Sequence, residues 1–246
     1  MPAIYQKEFH IPASAVDRFD RLKLSYALQY LQEASGDHSD LLGTDRNALA
    51  RKGLFWAVIR HRVQITRLPQ AGQTITLETW PLPTTRTAYP RSTVAYDDQG
   101  RELFRGISLW VLMDSRSRAM VLPGKSGVEV EGLLRGNELT APGALSPKLL
   151  KHCTQRTVHF SDLDWNGHMN NCRYLDWVCD TLPSEFHGCH TPCEFSICYL
   201  SEARETETLS LHYELDDDGA LLVDAHRNGA EDSIGHSRVF SAKLQF

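Results

Sequence analysis

The sequence predicts an α+β protein built as two similar halves, each a long helix laid on an antiparallel sheet. Three observations lead there. One strand, one long helix and several consecutive strands follow one another, the order of a helix packed on a meander. A segment rich in Gly, Pro, Ser and Glu interrupts the pattern at 123–147. The same order then begins again, with recognisable sequence matches to the first pass.

The elements read as follows. Residues 4–11 read as a strand. Residues 24–42 read as a helix, because Leu24, Leu28, Leu31, Ala34, His38 and Leu42 recur at helical spacing and Gly43 is a suitable stop. A looser stretch, 44–53, leads into strands at 55–65, 73–79, 91–96 and 103–113. Gln70-Ala71-Gly72 and Asp97-Asp98-Gln99-Gly100 supply turns between them. Beyond the linker, 150–160 is strand-like and 170–182 helix-like. Strands follow at 195–200, 208–215, 221–227 and 234–246, with the turn Asp216-Asp217-Asp218-Gly219 resembling the one at 97–100. The expected domains are therefore 1–122, a linker at 123–147, and 148–246.

Composition sets bounds on function. With 246 residues, 41% hydrophobic, 23% charged and a net charge of -5, the chain is an ordinary globular protein without a nucleic-acid signature. No apolar run approaches the roughly 20 residues of a membrane span. The start, Met1-Pro2-Ala3-Ile4-Tyr5, lacks the apolar core of a signal peptide. A cytoplasmic setting is expected. Six cysteines raise the question of metal or disulfides. Cys189 and Cys193 flank His190, but no second pair follows at zinc spacing. Cys153, Cys172, Cys179 and Cys198 sit in apolar patterns, where a thiol acts as a small hydrophobe. No metal is expected.

The richest stretch is 162–177. Asp164, Asn166 and His168 alternate with Leu163, Trp165 and Gly167 just before the second helix. Asp or Asn at such a place is commonly only a cap, and a lone His is commonly structural. Asn166, His168, Asn170 and Asn171 together exceed what one cap needs. Acid, amide and imidazole at the start of a helix make a compact polar site, suited to a carbonyl oxygen becoming an oxyanion.

Internal matching separates the halves. Setting Asp164 on Asp20, an offset of 144, brings Tyr174-Leu175 onto Tyr30-Leu31 without a gap. In that register Asn166 faces Leu22 and His168 faces Leu24. Thr208-Leu209-Ser210-Leu211 matches Thr74-Ile75-Thr76-Leu77 at an offset of 134, which sets Glu202 against Leu68. A Glu at the end of an apolar strand is ordinarily a solvated turn residue. Its occurrence beside the polar helix start makes it a candidate site residue.

These residues resemble the acyl-ACP thioesterases of plants and bacteria. Asp164-Trp165-Asn166-Gly167-His168, Met169-Asn170-Asn171-Cys172-Arg173-Tyr174 and Tyr199-Leu200-Ser201-Glu202 follow that family's second-half motifs. Trp56-Ala57-Val58-Ile59-Arg60 follows its first-half Trp-x-x-x-Arg strand. The resemblance implies a tandem hot-dog fold, each half wrapping a curved sheet around one helix. It also implies hydrolysis of the thioester between a fatty acyl chain and acyl carrier protein. Many plant members carry a Cys after the Glu; here that residue is Ala203.

The expected catalytic set is Asp164, Asn166, His168 and Glu202. Glu202 and His168 would activate water, Asn166 would orient it or hold the carbonyl, and Asp164 would orient its neighbours or itself attack. The first half would hold the chain, with Leu28 and Trp56 among the substrate-binding residues. No cofactor is implied. The partner would be acyl-loaded carrier protein, with no nucleic acid or membrane, and a homodimer is compatible with the reading. Rival readings are hydrolysis of acyl-CoA or polyketide-like thioesters, dehydration of hydroxyacyl thioesters, and non-catalytic acyl binding. A pure binder has no need of the full polar set.

Overall fold

The protein is described by a computed structural model covering residues 3–146, 148–227 and 238–246. Met1, Pro2, Pro147 and the start of the last expected strand, 234–237, lie outside the described residues. The chain divides into two compact units, 1–22 with 26–142, and 23–25 with 143–246.

The first unit carries β1 (Tyr5–His10), α1 (Leu24–Leu41, apart from its first two residues), α2 (Arg46–Ala50), β2 (Leu54–Ile65), β3 (Thr74–Pro81), β4 (Tyr89–Tyr96), β5 (Glu102–Asp114), β6 (Met120–Val121) and α3 (Pro123–Ser126). Its sheet runs β1-β3-β4-β5-β2, all antiparallel, with β6 added to β5. The second unit carries β7 (His152–Thr157), α4 (Arg173–Cys179), α5 (Ser184–Cys189), β8 (Glu194–Tyr199), β9 (Thr208–Leu215), β10 (Ala220–Arg227) and β11 (Arg238–Gln245). Its sheet runs β7-β9-β10-β11-β8, the same order as the first.

Each sheet packs on its helix through apolar contacts. In the first unit Leu31 of α1 lies against Gly106 of β5, where an added Cβ would come within 2.9 Å of its Cδ2. In the second, Tyr174 of α4 packs on Phe240 of β11 at 4.7 Å between ring centroids.

The second helix is shorter than its periodicity predicts. It begins at Arg173, because 170–172 form a turn with Asn170 Oδ1 accepting the Cys172 N–H. It ends where Thr181 and Leu182 close three-residue turns onto Val178 and Cys179 and Pro183 follows. Proline lacks the N–H and disfavours helical geometry before it. The short helices α2, α3 and α5 were absent from the expected order. They run four to six residues, too few to display a periodicity.

The segment after β6 wraps its own unit. The carbonyls of Asn137, Thr140 and Pro142 accept from Arg105, Arg62 and Arg60 respectively. The Asp-rich turns at 97–100 and 216–219 use the same chemistry, one Asp oxygen accepting two backbone N–H groups. They occupy different places: the first joins β4 to β5, the second β9 to β10.

The interior of the first unit is not uniformly apolar. Leu28 and Leu31 on α1 are fully buried, but so are His38, Thr79, Thr93, Ser108 and His61, and Arg91 is 7% exposed. Arg91 donates to His38 Nδ1 at 3.0 Å, so that nitrogen carries no proton. Burial pushes the Arg91 guanidinium down to about 10 and the His61 imidazole to about 3. At neutral pH Arg91 is a cation and His61 is neutral.

Candidate active site

The polar loop is a tight turn between a 3-10 turn at Phe160–Asp162 and α4. Leu163 bridges Met169, the Asp164 N–H donates to the His168 carbonyl at 2.7 Å, and Gly167 takes φ 76° at the apex. Glycine adopts that left-handed conformation without a Cβ penalty. Asp164 Oδ1 accepts the N–H groups of Asn166 (2.7 Å) and His168 (3.2 Å), and its Oδ2 accepts the Asn166 side-chain amide at 3.2 Å. The carboxylate organises the loop.

The first unit contains the same turn. Val16 bridges Leu22, and the Asp17 N–H donates to the Arg21 carbonyl. Asp17 Oδ1 accepts from Phe19 and Arg21 at 2.8 and 3.0 Å, and Asp20 sits at φ 56°. A 3-10 turn at Ala13–Ala15 precedes it. The structural register is therefore 147, Asp164 on Asp17, and not the 144 of the gap-free match. Asn166 corresponds to Phe19, Gly167 to Asp20, and His168 to Arg21; the leucines at 22 and 24 are not their counterparts. The sequence match failed because Asp17 and Asp20 both stand near the turn, and only backbone hydrogen bonds tell them apart. The 134 offset of β3 and β9 does hold, since His10 pairs with Thr74 as Thr157 pairs with Thr208. Glu202 does correspond to Leu68.

Glu202 lies in the loop from β8 to β9 and comes to the imidazole. His168 Nε2 is 3.2 Å from Glu202 Oε2, with side-chain exposures of 21% and 44%. Two further contacts fasten the loops together: the Met169 N–H donates to the Ala203 carbonyl at 2.8 Å, and His168 bridges Arg204. Tyr199 Oη donates to the Asn171 carbonyl at 3.0 Å, tying β8 to the start of α4. So Asp164, Asn166, His168 and Glu202 form one cluster. Met169 is buried, whereas Trp165 is 68% exposed and does not enclose it.

The remaining expectations fall as follows. Leu28 is fully buried on α1. Trp56 is half-buried on β2, donates to the Thr44 carbonyl and stands edge-on to Tyr89. Cys198 is buried like a small hydrophobe, while Cys153 is exposed. Among the described residues no His, Cys, Asp or Glu cluster could hold a metal. Sequence reasoning missed Arg227 at the end of β10, which reaches the Glu202 loop; it is 25 positions away and carries no local signal.

Cys172, the thiol nearest the motif, is 6% exposed and pushed up to about 12 by burial. A thiol in that state has almost no thiolate at neutral pH and is a poor nucleophile. Cys172→Ala is expected to leave turnover within about twofold of the parent and to cost about 1 kcal/mol of stability from the small cavity. Steady-state hydrolysis and urea denaturation of the variant check this; a folded, inactive protein would contradict it.

Comparison with known proteins bears on this site. Residues 2–122 match the acyl-ACP thioesterase N-terminal domain, and residues 148–240 match the C-terminal domain. A chloroplastic palmitoyl-acyl carrier protein thioesterase from Cuphea hookeriana is 23% identical over 88% of this chain and 56% of its own length. Its counterpart from Gossypium hirsutum is 26% identical over 84% and 54%. The chain thus spans about half the length of these curated relatives. An acyl-ACP thioesterase crystal structure from Bacteroides thetaiotaomicron superimposes with a TM-score of 0.89 at 21% identity, over 99% of this chain and 98% of the other. The 12:0-ACP thioesterase from Umbellularia californica gives 0.81 at 21% identity, over 100% and 97%. The fold is the hot-dog fold of these structures, as the resemblance implied.

Proposed function

The chain belongs to the acyl-ACP thioesterase family, and from that premise we propose that it hydrolyses fatty acyl-acyl carrier protein to free fatty acid and carrier. The observation that carries the reading is the 3.2 Å contact of His168 Nε2 with Glu202 Oε2 beside the Asp164 turn. A water held by this pair loses a proton to it and adds its oxygen to the thioester carbonyl. The tetrahedral oxyanion then collapses, the carbon–sulfur bond breaks, and the proton passes to the carrier thiolate. Asn166 orients the water or holds the carbonyl oxygen. Asp164 acts by holding its neighbours: Oδ1 accepts the Asn166 and His168 N–H groups and Oδ2 the Asn166 side-chain amide, which favours water over Asp164 as the attacking group.

Six free cysteines, three of them exposed, suit a reducing compartment, and the proposed setting is the cytoplasm. Among the described residues no helix is long and apolar enough to cross a membrane. Purified protein is expected to release free fatty acid from acyl-ACP, and faster than from acyl-CoA. Hydroxyacyl thioesters should yield no dehydration product. Equal rates on acyl-CoA would reassign the carrier, and binding without release would leave an acyl-binding protein.

The first half, 1–122, is proposed to hold the chain and the second, 148–246, to cut it, with 123–147 connecting them. Leu68, buried where the second half has Glu202, supports the division. Each buried methylene contributes about 0.8 kcal/mol, so lengthening the slot by one or two carbons changes preference severalfold. Substitutions at Leu28 or Trp56 should therefore shift product length, read from fatty-acid pools of an expressing bacterium, while sparing total turnover. Changes at Asn166 should lower turnover without moving the profile. Folded Leu28 and Trp56 variants with the parental profile would refute the assignment.

A further inference from the structure

Arg227 reaches the catalytic loop with three of its nitrogens. Nη2 donates to the Glu202 carbonyl at 2.6 Å, Nη1 lies 3.5 Å from Ser201 Oγ, and Nε is 3.2 Å from Glu207 Oε2. Glu207 Oε2 also accepts the Arg204 N–H at 3.2 Å, closing a turn of 204–207. One planar guanidinium therefore spans the residue before the carboxylate, the carboxylate's own backbone and the far end of the loop. Such a fork fixes orientation as a single point charge does not.

The first unit holds the matching place with the opposite charge. Leu77 pairs with Ala95 as Leu211 pairs with Ala225, so Arg227 corresponds to Asp97. Asp97 accepts from Arg67 at 2.8 Å, and Arg67 corresponds to Ser201. Both units thus fasten the loop, but in the first the bond goes to residue 67, one short of Leu68. In the second the guanidinium grips Glu202 itself.

We propose that Arg227 is a positioning residue for Glu202: it holds the Glu202 backbone, with Glu207 as its anchor, so that the carboxylate meets His168. This rests on the function proposed for Glu202. The geometry asks for orientation of a base and not for substrate binding, so the effect belongs in kcat.

The test measures kcat, KM and thermal midpoint for Arg227→Ala, Arg227→Lys and Glu207→Gln, with Arg227→Ala also made in a Glu202→Ala background. Arg227→Ala is expected to lower kcat about tenfold with KM within about twofold, the scale of a small misplacement of a reacting group. In the Glu202→Ala background it should cost nothing further, since residues acting as one unit are non-additive. Arg227→Lys should recover part of the loss, and Glu207→Gln should lower kcat in the same direction. Parental kcat in Arg227→Ala, or the same tenfold loss without Glu202, overturns the proposal. If Arg227→Ala does not fold, parental kcat in both Arg227→Lys and Glu207→Gln overturns it. A fully active Glu202→Ala protein would instead remove Glu202 from the mechanism, a separate failure.

Discussion

Alanine at His168 or at Glu202 is expected to lower kcat by at least about a hundredfold, and the double variant should lose little more than either single one. General acid–base catalysis supplies factors of roughly 10² to 10⁴. The two side chains face each other at 3.2 Å, and in the proposed mechanism they serve one proton. Removing either leaves the other without its partner, which is why the losses should not multiply. Both are partly exposed, with side-chain values of 21% and 44%, and neither is a core residue. Thermal midpoints should therefore stay near the parent, separating lost chemistry from lost fold. Steady-state hydrolysis of acyl-ACP checks the prediction. A variant with near-normal turnover removes its residue from the mechanism, and multiplicative losses separate the two roles.

The paired turns allow a second test of comparable size. Asp164→Ala is expected to cost about a hundredfold in kcat, because Asn166 and His168 lose the oxygen that holds their backbone, and a misplacement of about 1 Å can cost that much. Asp17→Ala removes the same two backbone bonds from the first unit. It should cost about 1 kcal/mol of stability, as loss of a side-chain cap does, and leave turnover nearly intact. Asp164→Asn keeps the Oδ1 acceptor but sets its amide against that of Asn166, so a loss of about tenfold is expected. Were Asp164 the nucleophile, Asp164→Asn would be inactive and the parent would accumulate an acyl-aspartate visible by mass spectrometry.

The strands of six or more residues were legible as runs rich in β-branched and aromatic residues, and α1 because apolar positions recur across its 18 residues, while the two-residue β6 was missed. Short helices at 46–50 and 184–189 show no such period and were missed. Asp164, Asn166 and His168 were legible as a dense cluster and by resemblance, and Glu202 through the 134-residue internal match and the resemblance. Their roles were assigned from the sequence, except that Asp164 was left between orienting its neighbours and attacking. Which carboxylate holds the loop and which meets the imidazole depends on backbone hydrogen bonds and on the fold bringing 168 and 202 together. The repeat register failed for the same reason, since Asp17 and Asp20 are one letter. The polar layer of His38, Arg91 and His61 was hidden because each falls at a position that periodicity marks only as inward-facing.

That Asp17 and Asp164 build one turn has a consequence for how such a protein can change over generations. The carboxylate that both halves retain holds the same two backbone N–H groups in each. The groups that differ, Phe19 against Asn166, Arg21 against His168 and Leu68 against Glu202, are side chains on a shared backbone. A turn held by one carboxylate lets the first two of these side-chain pairs differ while the backbone stays the same. Descent under those terms leaves a scar of a particular kind: an acid preserved in the half to which the proposed mechanism assigns no reaction.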